Sequence, residues 1–160
     1  MQKKISVGIA DMKLTRQEGT LVTYALGSCI GITFYDPMIK LGALLHIMLP
    51  ERTNSTDANV LKYADTGIDE TLRKMSVYGG SKNRIVCKIA GGAKMFEMKG
   101  PGGLGNIGER NIQKVKSVLK AEGIRITGED VGFNYARTMS MDVSTGKVSV
   151  KTVGRAEKVL

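Results

Sequence analysis

Cys29-Ile30-Gly31-Ile32-Thr33-Phe34-Tyr35-Asp36-Pro37-Met38-Ile39-Lys40-Leu41-Gly42-Ala43-Leu44-Leu45-His46-Ile47-Met48-Leu49 is the stretch on which the reading of the fold turns. Residues 29–35 and 40–49 are rich in β-branched and apolar residues, and Asp36-Pro37 between them is turn chemistry. If a two-residue turn closes the hairpin, Asp36 faces Ile39 and Cys29 lies opposite His46. Side chains alternate faces along a strand. One face then carries Ile30, Ile32 and Phe34 with Leu41, Ala43, Leu45 and Ile47, which is wholly apolar and is the expected core face. The other carries Cys29, Gly31, Thr33 and Tyr35 with Lys40, Gly42, Leu44 and His46. A slip of two residues changes the partners but leaves Cys29 and His46 on one face; a slip of one exposes an apolar row. Type I turns fit two-residue hairpins poorly, so the shared face, rather than direct opposition, is the expectation that survives a longer loop. Gly31 and Gly42 beside the pair leave room for another group to approach.

Working outward, residues 3–10 and 19–26 read as short strands and residues 51–58 as a polar loop. Leu61, Ala64, Ile68, Leu72 and Met75 recur at helical spacing. Asp69 with Arg73 and Glu70 with Lys74 support an exposed helical face. Gly79-Gly80 ends that helix. Residues 84–90 return to strand alternation and 91–105 form a Gly-rich loop. Asn106 followed by Glu109 predicts a capping box opening a helix over 107–122, with Ile112, Val115 and Leu119 on its buried stripe. Residues 124–131 form a strand, and 137–143 with 147–153 form a hairpin around Ser144-Thr145-Gly146. Strands, helix, strand, helix, strands is the order of an α+β protein with largely antiparallel pairing, in one domain spanning residues 1–160.

The chain has 160 residues, 42% of them hydrophobic and 24% charged, with a net charge of +9. That is enough to bury a sizeable core. The charge reads either as an ordinary soluble basic surface or as a surface for an acidic partner, nucleic acid or an acidic protein face, which charge alone does not separate. No apolar run approaches a membrane span, and the Met1-Gln2-Lys3-Lys4 start leads into no apolar signal core. A cytoplasmic location with reduced thiols is therefore expected. Nucleic-acid binding is disfavoured: the lysines are spread along the chain, and there are only 3 Phe and 5 Tyr to stack on bases. Two isolated cysteines and a single histidine make neither a CxxC pair nor a zinc site, so no metal is expected. Gly103-x-Gly105-x-x-Gly108 matches the dinucleotide fingerprint as a string, but the preceding strand ends near Ala90, too early for a tight strand-to-helix turn.

A thiol and an imidazole on one face are a nucleophile and a base. Cysteine attacks as thiolate, and an adjacent imidazolium lowers the thiol pKa. The bend at Gly27-Ser28-Cys29 offers backbone N–H groups for an oxyanion. The plainer reading is that a free cysteine is a small buried hydrophobe and a lone histidine a structural residue. Cys87 fits that plainer reading, since it alternates with Ile85 and Ile89 toward the core.

Beyond these residues, Leu26-Gly27-Ser28-Cys29, Tyr35-Asp36-Pro37, His46-Ile47-Met48-Leu49-Pro50 and Lys62-Tyr63-Ala64-Asp65 resemble the CheD chemoreceptor glutamine deamidases. So do Ala90-Gly91-Gly92-Ala93-x-Met95-Phe96, Asn106-Ile107-Gly108-x-Arg110-Asn111 and Glu129-Asp130-Val131-Gly132. The resemblance covers nearly the whole chain in order. It implies a β-sandwich-like core flanked by helices, related to the catalytic domains of deamidating bacterial toxins. It also implies a catalytic set of Cys29, His46 and Thr23, with Thr23 orienting the imidazole and no cofactor required. The implied substrates are glutamine side chains on methyl-accepting chemotaxis receptors, and the implied partner is a CheC-type phosphatase. Two departures stand out: Phe133 where the family often has a second Gly after Gly132, and a longer loop over Gly100-Pro101-Gly102-Gly103-Leu104-Gly105.

The expected chemistry is attack of Cys29 on a glutamine carboxamide, with ammonia leaving and a thioester then hydrolysed. The same thiol can serve a glutamyl methylesterase, and a non-enzymatic adaptor for the CheC-type phosphatase stays open beside it.

Overall fold

The alternating apolar residues organise ten strands and two long helices among the described residues. The structure is a computed structural model, described over residues 3–53, 56–95 and 106–160. The strands are β1 (Lys4–Ser6), β2 (Asp11–Arg16), β3 (Thr20–Leu26), β4 (Ile30–Asp36), β5 (Leu41–Ile47), β6 (Val86–Gly91), β7 (Ile126–Val131), β8 (Arg137–Asp142), β9 (Lys147–Lys151) and β10 (Lys158–Val159). A 3-10 turn at Val60–Lys62 leads into helix α1 (Ala64–Val77), and α2 (Ile107–Ala121) joins β6 to β7. The strands form two five-stranded sheets, β1-β3-β8-β9-β10 and β2-β5-β4-β6-β7. Pairing is antiparallel except between β1 and β3 and between β6 and β7.

The β2-β5-β4-β6-β7 sheet is buried on both faces. Ile30, Ile32, Phe34, Leu41, Ala43, Leu45, Ile47, Cys87 and Ile89 pack against Ala64, Ile68 and Met75 of α1 and Ile112, Val115 and Leu119 of α2. On the opposite face Tyr35, Leu44 and Ala90 meet Leu21, Leu26, Met139, Met141, Val148 and Val150 of the other sheet. The result is a single α+β domain in three layers: helices, sheet, sheet. Gly31 and Gly42 do leave room, but for the second sheet. A Cβ at Gly31 would lie 2.9 Å from the Met139 sulfur, and one at Gly42 would lie 2.7 Å from Met141 Cε.

The β4–β5 register is displaced by two from the simplest hairpin. Asp36 pairs with Leu41, leaving 37–40 as the loop, and Gly31, not Cys29, is opposite His46. Asp36 sets this loop: its buried carboxylate accepts from the N–H groups of Met38 (3.2 Å) and Ser81 (2.9 Å) and from the Arg84 guanidinium (2.9 Å).

Three further details depart from expectation. β2 and β10 pair at sheet edges in segments where the sequence pattern predicts no strand. Asn106 makes no side-chain cap, because its backbone (φ −114°, ψ 24°) is not in the extended region that aims a capping oxygen at the helix. Glu109 instead accepts from Gln113 at 2.8 Å. Phe133 adopts φ 59°, the left-handed region that favours the glycine of the related pattern. Most of the Gly-rich loop, including Gly103, Gly105 and the 100–105 stretch, lies outside the described residues.

Candidate active site

Cys29 immediately precedes β4, and His46 is the last residue but one of β5. With Gly31 facing His46 across the ladder, Cys29 sits two positions along on the same face. Diagonal neighbours of this kind within a ladder are about 7–8 Å apart at the backbone. Cys29 is half-buried, whereas His46 and Thr23 are fully buried. Cys87 is packed in the core among the helices, as its alternation predicts.

Thr23 reaches the imidazole from the opposing sheet. Its Oγ1 lies 2.7 Å from His46 Nδ1 and 2.8 Å from the carbonyl oxygen of Val7. A carbonyl can only accept, so the single hydroxyl proton goes to Val7. Oγ1 must then accept from Nδ1–H. The imidazole is thereby fixed in the tautomer whose Nε2 carries a free lone pair, and Nε2 has no hydrogen-bond partner among the described residues.

Burial pushes the His46 pKa down from 6.5 to about 4. Burial also raises the Cys29 thiol, although its own backbone N–H acts in the opposite direction. Both shifts run against the imidazolium-stabilised thiolate and favour the uncharged thiol and imidazole.

The Gly27-Ser28-Cys29 bend is held through its carbonyls. Ala93 N–H donates to Gly27 O (2.8 Å), and Gly92 N–H donates to Cys29 O (2.9 Å). Asn111 Nδ2 donates to Ser28 O (2.9 Å). Gly27 N–H is already bonded to the carbonyl of Ala25 (3.0 Å), so Gly27 serves as a bend and not as a donor. The close approach of β6 requires Gly91, where a Cβ would stand 2.1 Å from Cys29 O. Beside it an open cleft is lined by Gly92, Lys94, Gly132 and Phe133.

Two contributors escaped the sequence. One is the backbone carbonyl of Val7, which has no sequence signature. The other is Asn111, whose signal was present: it is a polar residue beside Ile112 and Val115 on the buried face of α2.

A thiol and an imidazole held in one tautomer share a face of the sheet, and comparison with known proteins shows the family. The family model described as CheD chemotactic sensory transduction matches residues 48–152. A protein of Syntrophomonas wolfei is 45% identical over 161 residues, covering 100% of both chains, and is named "Probable chemoreceptor glutamine deamidase CheD". The chain belongs to the CheD family. Relatives of the same name in Caldanaerobacter subterraneus (46% identical, 100% of both chains) and Lachnoclostridium phytofermentans (39%, 99% of both) span the chain as fully. The CheD model's match begins at Met48, after Thr23, Cys29 and His46, whereas the Syntrophomonas wolfei relative spans the whole chain. No helix among the described residues is long and apolar enough to cross a membrane, and no cluster of metal-ligating side chains occurs among them.

Proposed function

We propose that this CheD-family chain deamidates glutamine side chains of methyl-accepting chemotaxis receptors, using Cys29 as nucleophile, His46 as base and Thr23 as the group that orients it. The observation that carries the reading is the Val7–Thr23–His46 chain of hydrogen bonds, which leaves Nε2 as a free acceptor. Because burial favours the uncharged thiol and imidazole, His46 acts as general base during attack. Nε2 takes the thiol proton as sulfur bonds to the carboxamide carbon. Backbone N–H groups of the bend before β4 stabilise the developing oxyanion in this reading. The imidazolium then protonates the departing nitrogen, ammonia leaves and a thioester remains. Water attacks the thioester with its proton taken by Nε2, and the thiolate leaves and is reprotonated. Glutamate is released and both groups return to their starting state.

A net charge of +9 suits acidic receptor helices. A cytoplasmic location and a CheC-type phosphatase as regulatory partner belong to the same reading.

Mass spectrometry of receptor fragments after incubation tests it. A gain of about one dalton at specific glutamines, absent with Cys29→Ala, is the result required of amide hydrolysis through a cysteine. An unchanged gain with that variant would remove Cys29 from the chemistry.

A further inference from the structure

The ladder between β4 and β5 stops at the Ile30–Ile47 rung, one residue short of the nucleophile. Beyond it the carbonyls of Ser28 and Met48 need donors, and two carbonyls cannot satisfy each other. Asn111 of α2 meets both: its Nδ2 donates to Ser28 O at 2.9 Å and to Met48 O at 2.9 Å. A primary amide nitrogen carries two N–H bonds on a short side chain, so it can stand where the next rung of the ladder would be.

The positions joined are informative. Ser28 is bonded to Cys29, and Met48 lies two residues past His46, directly after the end of β5. The bonds from Gly92 and Ala93 also steady the Cys29 bend, but they come from the end of β6 and make no connection to the strand of His46. Among the side chains described, Asn111 is the one that ties the backbone of the nucleophile to that of the base. The arrangement has a stability cost. Asn111 is fully buried, and its Oδ1 has no hydrogen-bond partner among the described residues. A buried acceptor without a donor is unfavourable, so an apolar side chain on this helix stripe would serve packing alone better.

We propose that Asn111 is a positioning residue that sets the spacing of Cys29 and His46 by bridging Ser28 and Met48 through its carboxamide nitrogen. The inference rests on the reading of Cys29 and His46 as a reacting pair, but not on the identity of the substrate.

The test uses the full chain and a reagent that needs no receptor. The rate of Cys29 alkylation by iodoacetamide is measured against pH in the wild type, in Asn111→Asp and in Asn111→Ser, with Cys29→Ala as the blank for Cys87. Asn111→Asp replaces the double donor with an acceptor, and Asn111→Ser leaves at most one donor. Alkylation at neutral pH should fall about 10- to 100-fold for Asp, as misplacement on the ångström scale does, and by less for Ser. The same substitutions are then made in His46→Ala. There they should add no further loss, because the spacing no longer matters. With receptor fragments, kcat should fall while KM holds.

Wild-type alkylation rates in either folded variant would overturn the proposal, and so would an equal loss in the His46→Ala background. Should Asn111→Asp fail to fold, Asn111→Ser is judged by the same criteria. If the wild type leaves receptor glutamines untouched while Asn111 variants still alkylate slowly, the substrate reading fails and the positioning role stands.

Discussion

Thr23 Oγ1 and His46 Nδ1 are joined by a 2.7 Å hydrogen bond between opposing sheets, and the proton in it belongs to the imidazole. The Thr23 hydroxyl spends its own proton on Val7.

Thr23→Val removes the acceptor for Nδ1–H and strands the Val7 carbonyl. The ring is then free to adopt the tautomer that blocks Nε2. The rate of ammonia release should fall by about 10²-fold or more, the scale of general-base assistance. Thr23→Ser keeps the hydroxyl and should retain most of the rate. A Val variant as fast as wild type would refute the orienting role.

His46 also has a predictable signature in acid. Its folded pKa of about 4 lies below the ordinary 6.5, so the folded state disfavours the proton. The stability from keeping it neutral is fully present above pH 6.5 and is lost as pH falls toward 4. Over that window the loss is at most about 3 kcal/mol. Urea titrations at pH 7 and pH 4.5 should show a larger drop in wild type than in His46→Gln, which subtracts the carboxylates common to both.

Gly91 and Gly132 separate strain from collision. Both have positive φ, +114° and +86°, but a Cβ at Gly91 would strike Cys29 O whereas one at Gly132 meets nothing within 4 Å. Gly132→Ala should therefore cost about 1 kcal/mol, from backbone strain alone, with activity kept. Gly91→Ala should cost more and lower kcat by displacing Cys29. Equal effects of the two on melting and rate would show that the contact is not limiting.

Arg137 and Asp130 form a buried pair (3.2 Å) linking β8 to β7, and Arg137 also donates to the carbonyl of Gly132 (2.9 Å). Its guanidinium lies over the Tyr135 ring, 4.6 Å from the centroid. Asp130→Ala leaves that cation buried without its carboxylate and should cost about 3–5 kcal/mol. Lys158→Ala, which removes only an exposed contact to Asp130, should cost little in the same denaturation experiment.

The sequence placed Cys29 and His46 on one face because strand parity is insensitive to loop length as long as the slip is even. It misplaced their register because Asp36 draws its partners from Ser81 and Arg84, far along the chain, and so opens the turn. The second sheet against that face was hidden for a related reason. Glycine and threonine look like a solvent-facing row until the methionines of β8 are seen to fill the space above them. Thr23 was visible only through resemblance, since a threonine in a strand carries no mark of its inward hydroxyl. Asn111 needed the opposite inference, that a carboxamide on an apolar stripe must have a task.

The division of the reacting set between two sheets has a consequence for folding. A chain in which each sheet has formed but the two have not yet closed on one another already holds Cys29 and His46 on one face of a sheet. Its imidazole, however, would still exchange freely between its two neutral forms. Competence thus arrives with the final docking step, and a partly assembled molecule carries a cysteine no more dangerous than any other.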